Sequence, residues 1–156
     1  MYTEDYLPDY IDCDIEVRKE IIRKIEALSS LSEDFPVYIV HELTSGKDAV
    51  VYMSPQGLAG IGMTLAEVRA LGGKYHELFF NKADVEDYLS KWQAFADDYS
   101  NRGIWYTFFQ QVKVLDSEKP FWFLSASTVI AYREEDKTPL FSMTLALRIN
   151  QYMPIV

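Results

Sequence analysis

The sequence predicts an α+β domain: a five-stranded antiparallel sheet with helices on one face and a flanking helix at the N-terminus. Three observations carry this. Apolar residues follow helical spacing at 15–28, strand spacing at 37–43 and 49–53, helical spacing again within 57–99, and strand spacing from 104 onward. The last three strands are separated only by short turns, which forces an antiparallel meander. The chain has 156 residues, 49% hydrophobic and 15% aromatic, enough for one core built on large rings.

Residues 1–14 carry five acids, three tyrosines and a proline and read as a lead-in. Ile15, Ile21, Ile22, Ile25 and Leu28 then form one stripe of a helix, with Asp14 as its cap and Ser29-Ser30 as its end. That stripe needs a cover, either its own domain or a second copy. Val37–Leu43 and Ala49–Met53 are strands joined by the turn residues Thr44–Asp48, an antiparallel hairpin. Ser54-Pro55 stops the second strand. A one-turn helix with Gly57, Gly60 and Gly62 follows, and Thr64-Leu-Ala-Glu67 is a capping box for helix 65–71, which ends at Gly72-Gly73. Residues 74–82 read as a connector. Asp84 is placed to cap an amphipathic helix carrying Val85, Tyr88, Leu89, Trp92, Phe95, Ala96 and Tyr99. Strands at 104–115, 121–133 and 140–150 complete the sheet.

The net charge is −9, and residues 1–34 hold ten acidic against four basic side chains, so the acidity is concentrated in the N-terminal segment. No lysine or arginine cluster is present to neutralise phosphates, which argues against direct nucleic-acid binding. No run of about 18 apolar residues exists, and the N-terminus lacks the pattern of a signal peptide. Cys13 is the only cysteine, so no internal disulfide forms, and a cytoplasmic setting is the simplest expectation.

Strand Val50-Val-Tyr-Met-Ser-Pro55, then Gly62-Met-Thr-Leu-Ala-Glu67, Asn81-Lys-Ala-Asp84, and strand Phe121–Ile130 with the turn Glu135–Pro139 occur in an order that resembles a PAS sensor domain over residues 35–150. Ser54 stands where that family usually has asparagine, Met63 where it has an aromatic residue, and Lys137 where it has a turn glycine. The resemblance divides the chain into an acidic segment with a flanking helix at 1–34, a PAS-like domain at 35–150, and the start of a linker at 151–156. The acidic helix and abrupt apolar tail also resemble the sensory part of a LuxR-type transcription regulator, which implies a helix-turn-helix output domain after residue 156. A non-catalytic sensor and dimerisation module is therefore expected, transmitting a small-molecule or protein signal. It would pair with a second copy through the N-terminal helix and outer sheet face. The alternatives are a small enzyme or ligand carrier with a nuclear-transport-factor-like cone fold, and an interaction domain whose core is filled.

His41 and His76 are too few to make a metal site with stray carboxylates, so no metal is expected. PAS relatives with haem use a histidine on the longer helix, where 85–99 has none, and flavin-binding relatives use a cysteine near the sheet, where Cys13 is absent. No cofactor is expected. No nucleophile has a histidine and acid arrangement, so no catalytic residue is assigned. Glu42, Asp48 and Glu67 read as turn and cap residues. A ligand, if bound, would sit between the sheet and segment 57–99, with Tyr52, Leu58, Ile61, Tyr75, Phe79, Phe109 and Ser125 as its expected lining. Trp122, Leu124, Thr144 and Ala146 are expected on the opposite sheet face.

Overall fold

The structure is a computed structural model that describes residues 6–30, 37–113 and 118–149. In chain order the elements are α1 (Ile15–Ser29), β1 (Val37–Glu42), β2 (Ala49–Met53), α2 (Pro55–Ile61), α3 (Leu65–Leu71), α4 (Lys74–Phe79), α5 (Lys82–Asp97), a 3-10 turn (Tyr99–Asn101), β3 (Tyr106–Val112), β4 (Phe121–Tyr132) and β5 (Pro139–Arg148). The strands form one antiparallel sheet in the order β2-β1-β5-β4-β3. The hairpin and the meander are both present, and β1 joins them by pairing with β5, with Val40 opposite Met143 and His41 opposite Ser142. This is the α+β architecture the periodicity predicts. The segment 151–156 and the strand ends beyond Val112 and Arg148 that were expected as sheet are not among the described residues or fall outside the strands.

Helices α2 to α5 lie on one face of the sheet and α1 on the other. On the α1 side, Ile21 and Ile25 are fully buried against Tyr38, Val40, Val51, Tyr52, Phe141 and Met143. The helical stripe is thus covered within its own chain. Part of the lead-in joins this layer: Leu7 is fully buried and Tyr6 meets Tyr52 edge-on at 5.4 Å. Arg18 fixes it there by donating to the carbonyls of Leu7, Pro8 and Ile11. An acidic, proline-containing stretch without periodicity gave no sign of that burial.

On the other side, Ile39, Val50, Met53, Ile61, Val68, Tyr75, Phe80 and Val112 form the core under α2 to α4, while Trp92, Ala96 and Val129 form a third cluster under α5. Asp14 accepts from the Glu16 amide, and Thr64 and Glu67 make both bonds of the capping box at 3.2 and 3.1 Å. At α5 the cap is Asn81, not Asp84: Asn81 Oδ1 accepts from the Ala83 and Asp84 amides. Asp84 lies in the first turn instead, where its charge favours the positive end of the helix. Residues 74–79 are a short helix and not a plain connector; six residues are too few to display a helical period.

Ser54 ends β2 and remains fully buried. Its amide donates to the Tyr38 carbonyl at 2.9 Å and its hydroxyl accepts from the Tyr38 amide at 3.2 Å. Lys137 adopts φ +60° in the β4–β5 turn, a left-handed conformation that glycine occupies without strain.

Candidate functional site

A cavity of about 570 Å³ lies between the sheet and helix α2. Its sheet side is Val37 and Ile39 of β1, Met53 of β2, Gln110 and Val112 of β3, Phe121 and Phe123 of β4, and Ala146 and Arg148 of β5. Its helical side is Gln56, Gly57, Ala59, Gly60 and Ile61 of α2, with Tyr75 and Phe80 at its inner end. Period-two alternation explains the sheet side, since Phe121, Phe123, Ser125 and Ser127 share one face of β4. Gly57 is there because the helix approaches the sheet closely: a Cβ would stand 2.7 Å from Met53 Cγ and 2.8 Å from Val37 Cγ1. At the mouth, the Arg148 guanidinium lies 3.4 Å from the centroid of the Phe121 ring. The walls are mostly apolar with few polar groups, the usual chemistry of a small-molecule site, and the volume falls within the roughly 300–1,000 Å³ typical of one.

Next to it lies a recess of about 40 Å³ that shares Ile39, Tyr75, Phe80 and Gln110 with the large cavity. Its wall is mostly apolar, with Leu89, Trp92 and Phe108, and carries the polar side chains of His41, Asp48, His76, Tyr88, Ser127, Ser142 and Thr144. Ser127 and Thr144 hydroxyls are 2.6 Å apart, and Gln110 donates its amide to Ser125 Oγ at 3.0 Å. The two imidazoles stack, with centroids 5.8 Å apart and planes at 18°. Burial pushes His41 down to about 3 and the neighbouring His76 adds to it, so the ring is neutral. His76 is lowered as well, again by burial. Asp48 is pushed up to about 6, by burial first and by Glu42 second. Burial also raises the phenols of Tyr75 and Tyr88.

The structure places the seven expected lining residues in five different surroundings. Ile61 and Tyr75 stand in the cavity wall. Leu58 and Phe79 pack into the core beside it. Ser125 is fully buried on the cavity face and receives the bond from Gln110. Tyr52 and Phe109 are corrections. Tyr52 belongs to the α1 side, between Tyr6 and Tyr38. The cause is an irregularity in the β1–β2 register: Val40 pairs with Tyr52 but His41 pairs with Val50, so Val51 is an extra residue and alternation fails. Phe109 pairs with Leu124 on the outer face and is 58% exposed, and its neighbour Phe108 points inward to stack on Tyr88 at 5.0 Å. Thr144 and Ala146 are also corrected, from the outer to the cavity face. Residues the sequence reasoning missed include Gln110, Phe123 and Arg148. The clean alternation of β5 carried a signal for Arg148, because it shares a face with Ser142, Thr144 and Ala146.

This strand order with its helical layer also appears among solved structures. A LOV protein from Rhodobacter sphaeroides matches with a TM-score of 0.63 and 16% identity, over 90% of this chain and 70% of that one. The LOV domain of a blue-light activated histidine kinase from Erythrobacter litoralis matches at 0.56 and 11%, over 77% and 100%. The PAS domain of the fruit-fly ELK potassium channel matches at 0.55 and 13%, over 81% and 96%. The fold is that of a PAS domain. No protein-family model and no curated protein matches the chain. The PAS topology replaces the cone-fold alternative, whose helices precede the sheet, whereas here α2 to α5 follow two strands.

The LOV likeness raises the question of a flavin held by a thiol. The residues do not fit one, since Cys13 packs with the cluster under α1, across the sheet from the cavity. Among the described residues, no three His, Cys, Asp or Glu side chains are grouped to hold a metal, and no helix is long and apolar enough to cross a membrane.

Proposed function

We propose that this PAS fold is the non-catalytic sensory module of a cytoplasmic transcription regulator of the LuxR type, and that its signal is a small, mostly apolar molecule bound between the sheet and α2. The observation that carries this reading is the 570 Å³ cavity with its apolar walls. A filled interaction domain would have no such space. Ligand binding shifts the population of α2 to α4 positions against the sheet, and the sheet transmits the shift to attached domains. Mass spectrometry of small molecules released from the purified protein is the test. The reading expects a stoichiometric organic compound, absent when Gly60 is replaced by Phe to obstruct the cavity.

The second part of the proposal is association with another copy through the outer sheet face. α1 packs on β1, β2 and the halves of β4 and β5 that carry Ala131, Phe141 and Met143, and its stripe is already buried. Phe109, Trp122, Leu124 and Leu147 remain exposed on adjacent strands, paired across as Phe109 with Leu124 and Leu124 with Leu147. Such a patch covers itself in a two-fold pair, since each copy presents the same surface. Trp122→Glu should convert a dimer to a monomer in light scattering while the circular-dichroism spectrum of the folded chain is kept; a protein that is monomeric before substitution contradicts the pairing.

A further inference from the structure

The small recess beside the large cavity brings two imidazoles together within a mostly apolar wall. His41 is 8% exposed, and its Nε2 has no hydrogen-bond partner among the described residues; the same holds for His76 Nδ1. A buried ring nitrogen left unpaired loses its hydration without replacement, so a group that pairs with it gains a corresponding advantage.

Geometry decides which group that is. His76 Nε2 lies 3.2 Å from the Asp48 carbonyl oxygen. A carbonyl only accepts, so Nε2 carries the proton, and in a neutral imidazole the other nitrogen is then a lone pair. His76 Nδ1 therefore requires a donor. Asp48 also lines the recess, with Glu42 as its nearest charged influence, so a carboxylate would meet an acceptor and negative charge there. The recess is small and sits beyond Tyr75 and Phe80, which border both spaces. It accommodates the end of a molecule, with the remainder in the apolar cavity.

We propose that the recess receives the hydroxyl end of an apolar ligand, a phenol or alcohol, which donates to His76 Nδ1 while its hydrocarbon body lies against Ile39, Ile61 and Val112. The proposal rests on the ligand-sensing reading above and specifies the ligand's class.

Three probes of matched shape test it by titration calorimetry: 4-butylphenol, butylbenzene and 4-butylbenzoate. The phenol should bind at least about tenfold more tightly than butylbenzene, the effect of one well-made hydrogen bond to an otherwise unpaired buried acceptor. His76→Phe should bring that ratio to within about twofold while butylbenzene still binds. In the unsubstituted protein, the ¹⁵N resonance of His76 Nδ1 should leave its lone-pair position on adding the phenol and stay put on adding butylbenzene. This measurement needs no variant, so it stands if His76→Phe does not fold. Equal affinity for phenol and butylbenzene overturns the hydroxyl assignment and leaves the sensor reading intact, because the recess is then simply hydrated. Tighter binding of the benzoate also overturns it, assigning the polar end to Arg148 at the mouth. Failure of all three probes to bind overturns this proposal and the sensor reading together.

Discussion

Ser54 holds β1 and β2 together from a position where the family it resembles usually has asparagine. Its hydroxyl is the partner of the buried Tyr38 amide, so Ser54→Ala leaves that N–H unpaired. The expected loss is about 1–3 kcal/mol in urea denaturation, with Ser54→Asn recovering part of it. The histidines give a second prediction. Unfolded, His41 titrates near 6.5, and folded near 3, so between those values the unfolded chain binds a proton that the folded one refuses. Stability therefore falls as the pH drops through that window, and His76 contributes in the same direction. Asp48 opposes this: its folded carboxyl binds a proton at about 6 against 3.8, so it adds stability as the pH falls between those values. Replacing His41 with Phe removes the first effect and keeps the second. Relative to the unsubstituted protein, the variant should gain roughly 2–3 kcal/mol between pH 7 and pH 4.5. A difference independent of pH contradicts the burial of a neutral His41. Neither residue's role was legible in the sequence, because one strand and two helices separate His41 from His76, and only the strand-to-α4 packing stacks them.

At the scale of elements, long periodic segments were legible and short or irregular ones were not. α1, α5, the hairpin and the meander follow from spacing, since each repeats its period several times. α4 does not, because it completes fewer than two turns. Alternation groups the residues of a strand but does not say which face meets the helices: Ser142, Thr144, Ala146 and Arg148 of β5 do share a face, yet it is the cavity face and not the outer one expected for Thr144 and Ala146. Where an extra residue breaks the alternation, as beside Tyr52, even the grouping fails. Glycines in α2 offer a paired test of how tightly that wall fits. A Cβ at Gly60 meets nothing within 4 Å, so Gly60→Ala should stabilise by about 0.5–1 kcal/mol through helix propensity. A Cβ at Gly57 collides with Met53 and Val37, so Gly57→Ala should destabilise by about 1–3 kcal/mol through overpacking. Thermal unfolding of the two variants should move the midpoint in opposite directions. Ile25→Ala, in a fully buried position of α1, should cost about 2–5 kcal/mol, because α1 is part of the packed domain and not a free appendage.

For the whole molecule, the sheet divides the chain into two layers with different tasks. The α1 layer is closed by Tyr6, Leu7, Ile21 and Ile25, and leaves Phe109, Trp122, Leu124 and Leu147 of β3 to β5 exposed. The α2–α5 layer encloses space. The fold class was legible because element order and turn length leave few ways to assemble five strands. The site was legible only in part, because a cavity is what packing fails to fill, and no single residue announces it. Gln110 lines it through register, a long-range property that β3's weak alternation conceals. The central claim is that this space admits a small molecule. The most direct measurement is a methyl ¹H–¹³C NMR titration with butylbenzene, following Ile39, Ile61, Val112 and Ala146 in the cavity together with Leu124 and Ile25 on the other side of the sheet. The account predicts saturable shifts in the first four and none in the last two. Unchanged cavity methyls, or shifts confined to Leu124 and Ile25, would contradict it.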